Sequence, residues 1–138
     1  VELALLKKMT ATGQRIVIVE DDPGMSQAVE RLLGAAGYGS VTFASAEALL
    51  DVAPVDNTCC YVFDIRLTGM SGLDLTEHLY DAGNAVPVIL ITAHDEEARQ
   101  PHPALTRAAA LFTKPFSGRA FVDAVRNAVA TPAAERSS

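Results

Sequence analysis

The sequence predicts an α/β fold, a doubly wound five-stranded parallel sheet with helices on both faces. Three observations predict it. Apolar runs of strand length alternate with stretches of helical spacing, and strands in such an alternation lie parallel, joined by right-handed crossovers. Two of the runs, Ile16-Val17-Ile18-Val19 and the one at 86–91, are apolar throughout, as strands covered on both faces are. Acidic, hydroxyl or basic residues stand where the runs end: Glu20-Asp21-Asp22, Asp64, Thr92 and Lys114. In this architecture, function gathers beyond the carboxyl ends of the strands. No internal repeat or low-complexity tract competes with this reading.

Residues 1–14 are expected to be a floppy or weakly helical leader or an expression remnant, with Met9 a candidate natural start. The first strand, 16–19, is β-branched throughout. Asp22 then stands as a helix N-cap with Pro23 as first helical residue, because the missing Pro N–H is no loss there. Met25, Ala28, Val29, Leu32, Leu33 and Ala36 keep one helical face apolar, and Gly37 terminates it. A short strand at 40–44 precedes a helix capped by Ser45 and stopped by Pro54. The third strand, 59–63, delivers Asp64. A loop at 66–72 leads to a helix at about 73–82, with Gly83 past its end. The fourth strand ends at Thr92, and the fifth, 110–113, at Lys114-Pro115. Ser117 caps a last helix whose buried face is Phe121, Val122, Val125, Ala128 and Val129. Between Thr92 and Ala110, Pro101 and Pro103 fall where a fourth helix is due. An interior proline costs about 3 kcal/mol and removes a donor, so that helix is expected to be short, displaced or irregular. Residues 131–138 read as a polar tail or linker stub.

With 138 residues, 49% hydrophobic and 20% charged, the chain is one globular domain long enough to bury a core. A formal charge of −6 argues against a nucleic-acid-binding surface on this chain, which would need clustered Lys and Arg. No apolar stretch reaches the roughly 18 residues of a membrane span, and Glu2, Lys7 and Lys8 break up any signal peptide. Cys59 and Cys60 are adjacent in an apolar strand. Alternation would point them to opposite faces, so they are expected to be free, buried thiols of a cytoplasmic protein.

Asp64 is the first charge after a buried run, and a lone buried carboxylate is costly unless a cation pairs with it. Taken singly, the candidates around it have ordinary explanations: Asp21 and Asp22 as helix caps, Thr92 as a strand-end hydroxyl, Lys114 as a solvated lysine. Their joint position on one sheet edge reverses that reading. Carboxylates from two neighbouring central strands repel unless a cation lies between them, and an all-oxygen set that retains waters suits Mg²⁺. Asp64 is then a candidate nucleophile forming an aspartyl phosphate, with Lys114 and Thr92 placed to offset charge on the phosphoryl oxygens.

Four fragments carry a resemblance: Val19-Glu20-Asp21-Asp22-Pro23, Phe63-Asp64-Ile65-Arg66-Leu67-Thr68-Gly69-Met70-Ser71-Gly72, Ile91-Thr92-Ala93 and Phe112-Thr113-Lys114-Pro115-Phe116. In this order and spacing, across residues 15–130, the chain resembles the receiver domain of two-component response regulators. The resemblance implies a flavodoxin-like sheet of order 2-1-3-4-5. It implies phosphorylation of Asp64 by a histidine kinase or phosphotransfer protein, in a domain that catalyses its own phosphorylation from a donor and its autodephosphorylation rather than acting as an enzyme on other molecules. Mg²⁺ would be bound by Asp21, Asp64 and the backbone carbonyl of Arg66, with Glu20 acting through water. Thr92 would bond the phosphoryl group and Lys114 pair with it, and the Lys114-Pro115 bond would be cis. Arg66 and His94 would flank the phosphoryl group and affect its lifetime. The resemblance leaves the output domain or partner unnamed and admits a homodimer.

The chain departs from that pattern at three places. Leu111 stands where an aromatic residue reports phosphorylation, the glycine before the fifth strand is replaced near Arg107, and Thr68 replaces a common proline. Leu111 and the Pro101/Pro103 segment motivate an alternative, a receiver-fold interaction module with weak or no phosphorylation. A haloacid-dehalogenase-like phosphatase is disfavoured because Arg66 stands where a second Asp is needed. A flavodoxin is disfavoured because Glu20-Asp21-Asp22 would repel a flavin phosphate. His78 and His102 are expected at the surface, and no metal-ligand spacing links the histidines.

Overall fold

The computed structural model describes residues 14–99 and 101–130. The expected leader, apart from Gln14, and the expected tail lie outside the described residues. Five strands, β1 (Arg15–Val19), β2 (Gly39–Phe43), β3 (Thr58–Asp64), β4 (Val88–Thr92) and β5 (Ala110–Thr113), form one sheet. Its order is β2-β1-β3-β4-β5, and every pairing is parallel. Among the described residues there are six helices: α1 (Pro23–Ala35), α2 (Ala46–Val52), α3 (Gly72–Asp81), α4 (Asp95–Arg99), α5 (Pro103–Arg107) and α6 (Gly118–Ala130).

The three central strands of the sheet, β1, β3 and β4, are buried almost throughout, which is why they carry so few polar residues, whereas the edge strands β2 and β5 are half-buried. On one face Val17, Val19, Tyr61, Phe63 and Leu90 pack with Leu49 of α2, Leu75 of α3 and Ala104 of α5. On the other, Ile16, Ile18, Val62, Ile89 and Ile91 pack with Val29 and Leu33 of α1 and with Phe121 and Val125 of α6. Each buried Val, Leu, Ile or Phe side chain among these contributes about 1.5–3 kcal/mol relative to exposure. Asp22 caps α1 by accepting from the Met25 N–H at 3.1 Å, and Ser45 caps α2 through the Ala48 N–H. Ser117 accepts from the Ala120 N–H at the start of α6. Of the expected face of α6, Phe121, Val125 and Ala128 are buried, whereas Val122 and Val129 are half-buried.

The expected irregular helix is two pieces. α4 ends at Arg99, and Pro103 starts α5, where its ring and missing N–H suit a first helical position. α5 docks on α3: the Arg107 guanidinium lies 4.8 Å from the centre of the Tyr80 ring and pairs with Glu77 and Asp81. His102 is a correction to the expected surface role. It is half-buried, caps α5 by accepting from the Ala104 N–H at Nδ1, and meets Asp74 at 3.2 Å through Nε2. His78 is exposed, as expected.

The cysteines are also corrected in part. Both thiols are free and buried, but both belong to the same apolar cluster. The register between β1 and β3 shifts so that Arg15 faces Thr58 while Ile16 faces Cys60. Cys59 is thus the extra residue of an irregularity, and the simple two-residue alternation fails there. The Lys114-Pro115 bond is cis, as is Ala53-Pro54.

Candidate functional site

The sheet order reverses between β1 and β3, so the loops beyond their carboxyl ends diverge and leave a crevice. Glu20 leaves β1 with its N–H bonded to the Phe43 carbonyl at 3.0 Å, while Asp21 turns outward and is exposed. Asp64 is the last residue of β3 and is 8% exposed. Carboxylate oxygens of Glu20, Asp21 and Asp64 all lie within 4.8 Å of one another. Three acidic groups are brought together from two strands whose other side chains are almost all apolar.

Lys114 completes the cluster from β5's end. Its backbone N–H donates to the Thr92 carbonyl at 2.7 Å, and its Nζ lies 3.3 Å from Asp64 Oδ2 and 3.4 Å from Glu20 Oε1. Burial pulls the Lys114 ammonium down, but the charges of Asp64 and Glu20 outweigh it and hold its pKa above the ordinary value. One ammonium does not balance three carboxylates. The surplus shows at Glu20, whose pKa is raised to about 7, first by burial and then by the hydrogen bond and charge of Asp64. The Asp22 N–H, 3.2 Å from Glu20 Oε2, works against that rise. A cluster of hard oxygen donors with surplus negative charge fits a divalent cation such as Mg²⁺.

Thr92 is fully buried at the end of β4. Its hydroxyl is turned to its own loop, donating to the His94 carbonyl at 3.2 Å and accepting from the His94 N–H at 3.1 Å. Arg66 fixes Asp64 through its backbone, the N–H donating to Oδ1 at 3.0 Å. Its guanidinium meets Glu97 of α4 at 2.9 Å. His94 is exposed, and Leu111 is a half-buried side chain packed against the core.

The loop after Asp64 is held by contacts that sequence reasoning did not single out. The Thr68 N–H and hydroxyl both lie 3.4 Å from Asp21 Oδ2. Glu47 of α2 accepts from the Met70 N–H at 2.9 Å, which holds its carboxyl below the ordinary range. Thr68 had a signal, since it replaces a common proline that has no N–H to donate. Glu47 and Glu97 had none, because their partners are distant in sequence. Gly72 starts α3 so close to β3 that a Cβ there would lie 2.2 Å from the Asp64 carbonyl oxygen.

A five-stranded parallel sheet with an acidic cluster and one lysine at its switch point is the arrangement that the resemblance to receiver domains implied. The chain belongs to the response regulator receiver domain family, whose model matches residues 16–126. Nodulation protein W of Bradyrhizobium diazoefficiens is 34% identical to it over 115 residues, 83% of this chain and 51% of that protein. Response regulator protein TodT of Pseudomonas putida is 29% identical over 133 residues, 96% of this chain and 59% of its own length. The chain thus spans about half the length of the curated relatives it matches. Response regulator protein TrrA of Thermotoga maritima, solved in complex with Mg²⁺-BeF, has a TM-score of 0.75 at 23% identity, with 83% of this chain and 97% of that one covered. It bears on the fold alone. As a family member the chain is a receiver domain, homologous to regulators that accept a phosphoryl group in two-component signalling. Among the described residues no helix is long and apolar enough to cross a membrane.

Proposed function

We propose that the chain is the phosphoryl-accepting switch of a His-Asp phosphorelay, with Asp64 as acceptor. The observation that carries this reading is the convergence of Glu20, Asp21, Asp64 and Lys114 at the carboxyl ends of β1, β3 and β5. Asp64 attacks the phosphorus of a phosphohistidine or of a small acyl phosphate. The bond from phosphorus to the leaving nitrogen or oxygen breaks as the new P–O bond forms, and the leaving group keeps the electron pair. Lys114, already within 3.3 Å of Asp64, pairs with the charge on the transferred oxygens. The Thr92 hydroxyl exchanges its bonds with His94 for one to a phosphoryl oxygen, and that exchange is where the switch starts. Glu20, Asp21, Asp64 and the Arg66 carbonyl would hold Mg²⁺, which when bound offsets the charge of the carboxylates and of the incoming group. The domain would then catalyse its own phosphorylation and its hydrolytic reset.

The donor would be a histidine kinase or phosphotransfer protein, and the compartment cytoplasmic. The output lies in a further domain or a partner, and relatives such as transcriptional regulatory protein FixJ point to control of transcription. Leu111 favours a second reading, an interaction module with little phosphorylation, because it offers no aromatic ring to report the change. Intact mass after incubation with acetyl phosphate and Mg²⁺ decides between them. Gain of one phosphoryl group, absent when EDTA replaces Mg²⁺ in the incubation, supports the switch; no gain from this donor or from a phosphorylated histidine kinase supports the passive module.

A further inference from the structure

Arg66 links the site to α4, a helix with no buried residue. Its backbone N–H holds Asp64 Oδ1 at 3.0 Å, while its side chain, 63% exposed, places Nε 2.9 Å from Glu97 Oε1. Glu97 is unusual for its surroundings. α4 has no buried residue, yet the Glu97 side chain is only 15% exposed, and its Oε1 is enclosed with no hydrogen bond. The contact with Arg66 is an ion pair rather than an aligned hydrogen bond. An enclosed carboxylate oxygen is therefore held by a counter-charge on a long, mobile side chain carried two residues past Asp64.

We propose that Glu97 is a positioning residue for Arg66, and that a phosphoryl group on Asp64 competes with Glu97 for that guanidinium. This inference rests on the phosphoacceptor reading. A phosphoryl group adds about −1.5 to −2 charge and three acceptor oxygens, and a guanidinium pairs with such a group more strongly than with one poorly aligned carboxylate oxygen. Once Arg66 turns to the phosphoryl group, Glu97 is left enclosed without a counter-charge, which is costly. α4 relieves that cost by loosening from β4 and β5. Signal thus reaches α4 by exchange of charge partners, without an aromatic ring at Leu111.

The test uses beryllofluoride with Mg²⁺ as the phosphoryl probe on the whole chain. Glu97→Gln, which frees Arg66 while preserving shape, is expected to tighten beryllofluoride binding about fivefold. Arg66→Ala weakens it, Glu97→Gln added to Arg66→Ala has no further effect, and Glu97→Asp stays near the wild type. Amide exchange over residues 95–99 rises on saturation of the wild type and rises less on saturation of Glu97→Gln, which leaves no charge enclosed. Wild-type binding with an unchanged constant in Glu97→Gln, or with an equal shift when Arg66 is absent, overturns this inference alone. A wild-type chain that neither binds beryllofluoride nor gains mass from acetyl phosphate overturns the phosphoacceptor reading beneath it.

Discussion

Glu20 has the clearest chemical consequence of any side chain in the cluster. Its carboxyl is pushed from 4.5 to about 7 by burial and by Asp64, so the folded state favours its protonated form. A carboxyl raised in this way costs stability as pH climbs above its ordinary value, and the loss is complete a little above its folded pKa. In EDTA, the wild type should therefore lose stability relative to Glu20→Gln between pH 5.5 and 8, measured by denaturant melts. Mg²⁺ favours the ionised form, so it should raise the wild-type melting temperature more at pH 8 than at pH 5.5. A pH-independent difference between the two proteins would contradict this. Glu20, Asp21, Asp64 and Lys114 were legible in the sequence because each follows a recognisable strand. The raised pKa was not, since it depends on how far the crevice encloses Glu20. Nor was the Thr92 hydroxyl's engagement with His94, a contact set by the local turn.

Gly72 shows how an element boundary protects the site. Its position at the start of α3 lets the helix abut the end of β3, and a methyl group there would meet the Asp64 carbonyl at 2.2 Å. Gly72→Ala should destabilise the fold by about 3 kcal/mol and weaken Mg²⁺ binding, by denaturant melts and metal titration. α5 is held differently. The Arg107 contacts with Tyr80, Glu77 and Asp81 lie on the surface, so Arg107→Ala should raise amide exchange over 103–107 with little change in global melting temperature. Prolines 101 and 103 foretold a broken helix because proline fixes φ and lacks a donor. They did not reveal that the second piece would dock on α3, because the residues it meets there lie more than twenty positions earlier in the chain. The strand at 59–63 was legible from its apolar run, whereas the irregularity at Cys59 was not. It arises from β1–β3 register, which no single strand encodes.

The described residues form one parallel sheet whose central strands are buried, and their only concentration of buried charge lies at one edge of it. That separation makes the fold a rigid platform and leaves the loops beyond β1, β3, β4 and β5 free to respond. With Lys114→Ala, Asp64 should still take up phosphate, at a rate reduced about tenfold or more. NMR shifts on β5 that accompany phosphorylation of the wild type should be absent; shifts of equal size there in the variant would count against Lys114 as the link to β5. The parallel sheet and the site's edge were legible because the alternation of strands and helices admits few topologies, whereas the strand order came with the family resemblance. Leu111 was legible as a departure from the family, and it lies half-buried against the core. The central claim is that Asp64 is the phosphoacceptor. It is tested most directly by treating the chain with acetyl phosphate and Mg²⁺, reducing any acyl phosphate with borohydride, and mapping peptides by mass spectrometry. Conversion of Asp64 alone to homoserine is the predicted result; label on another residue, or an unmodified Asp64, would contradict the account.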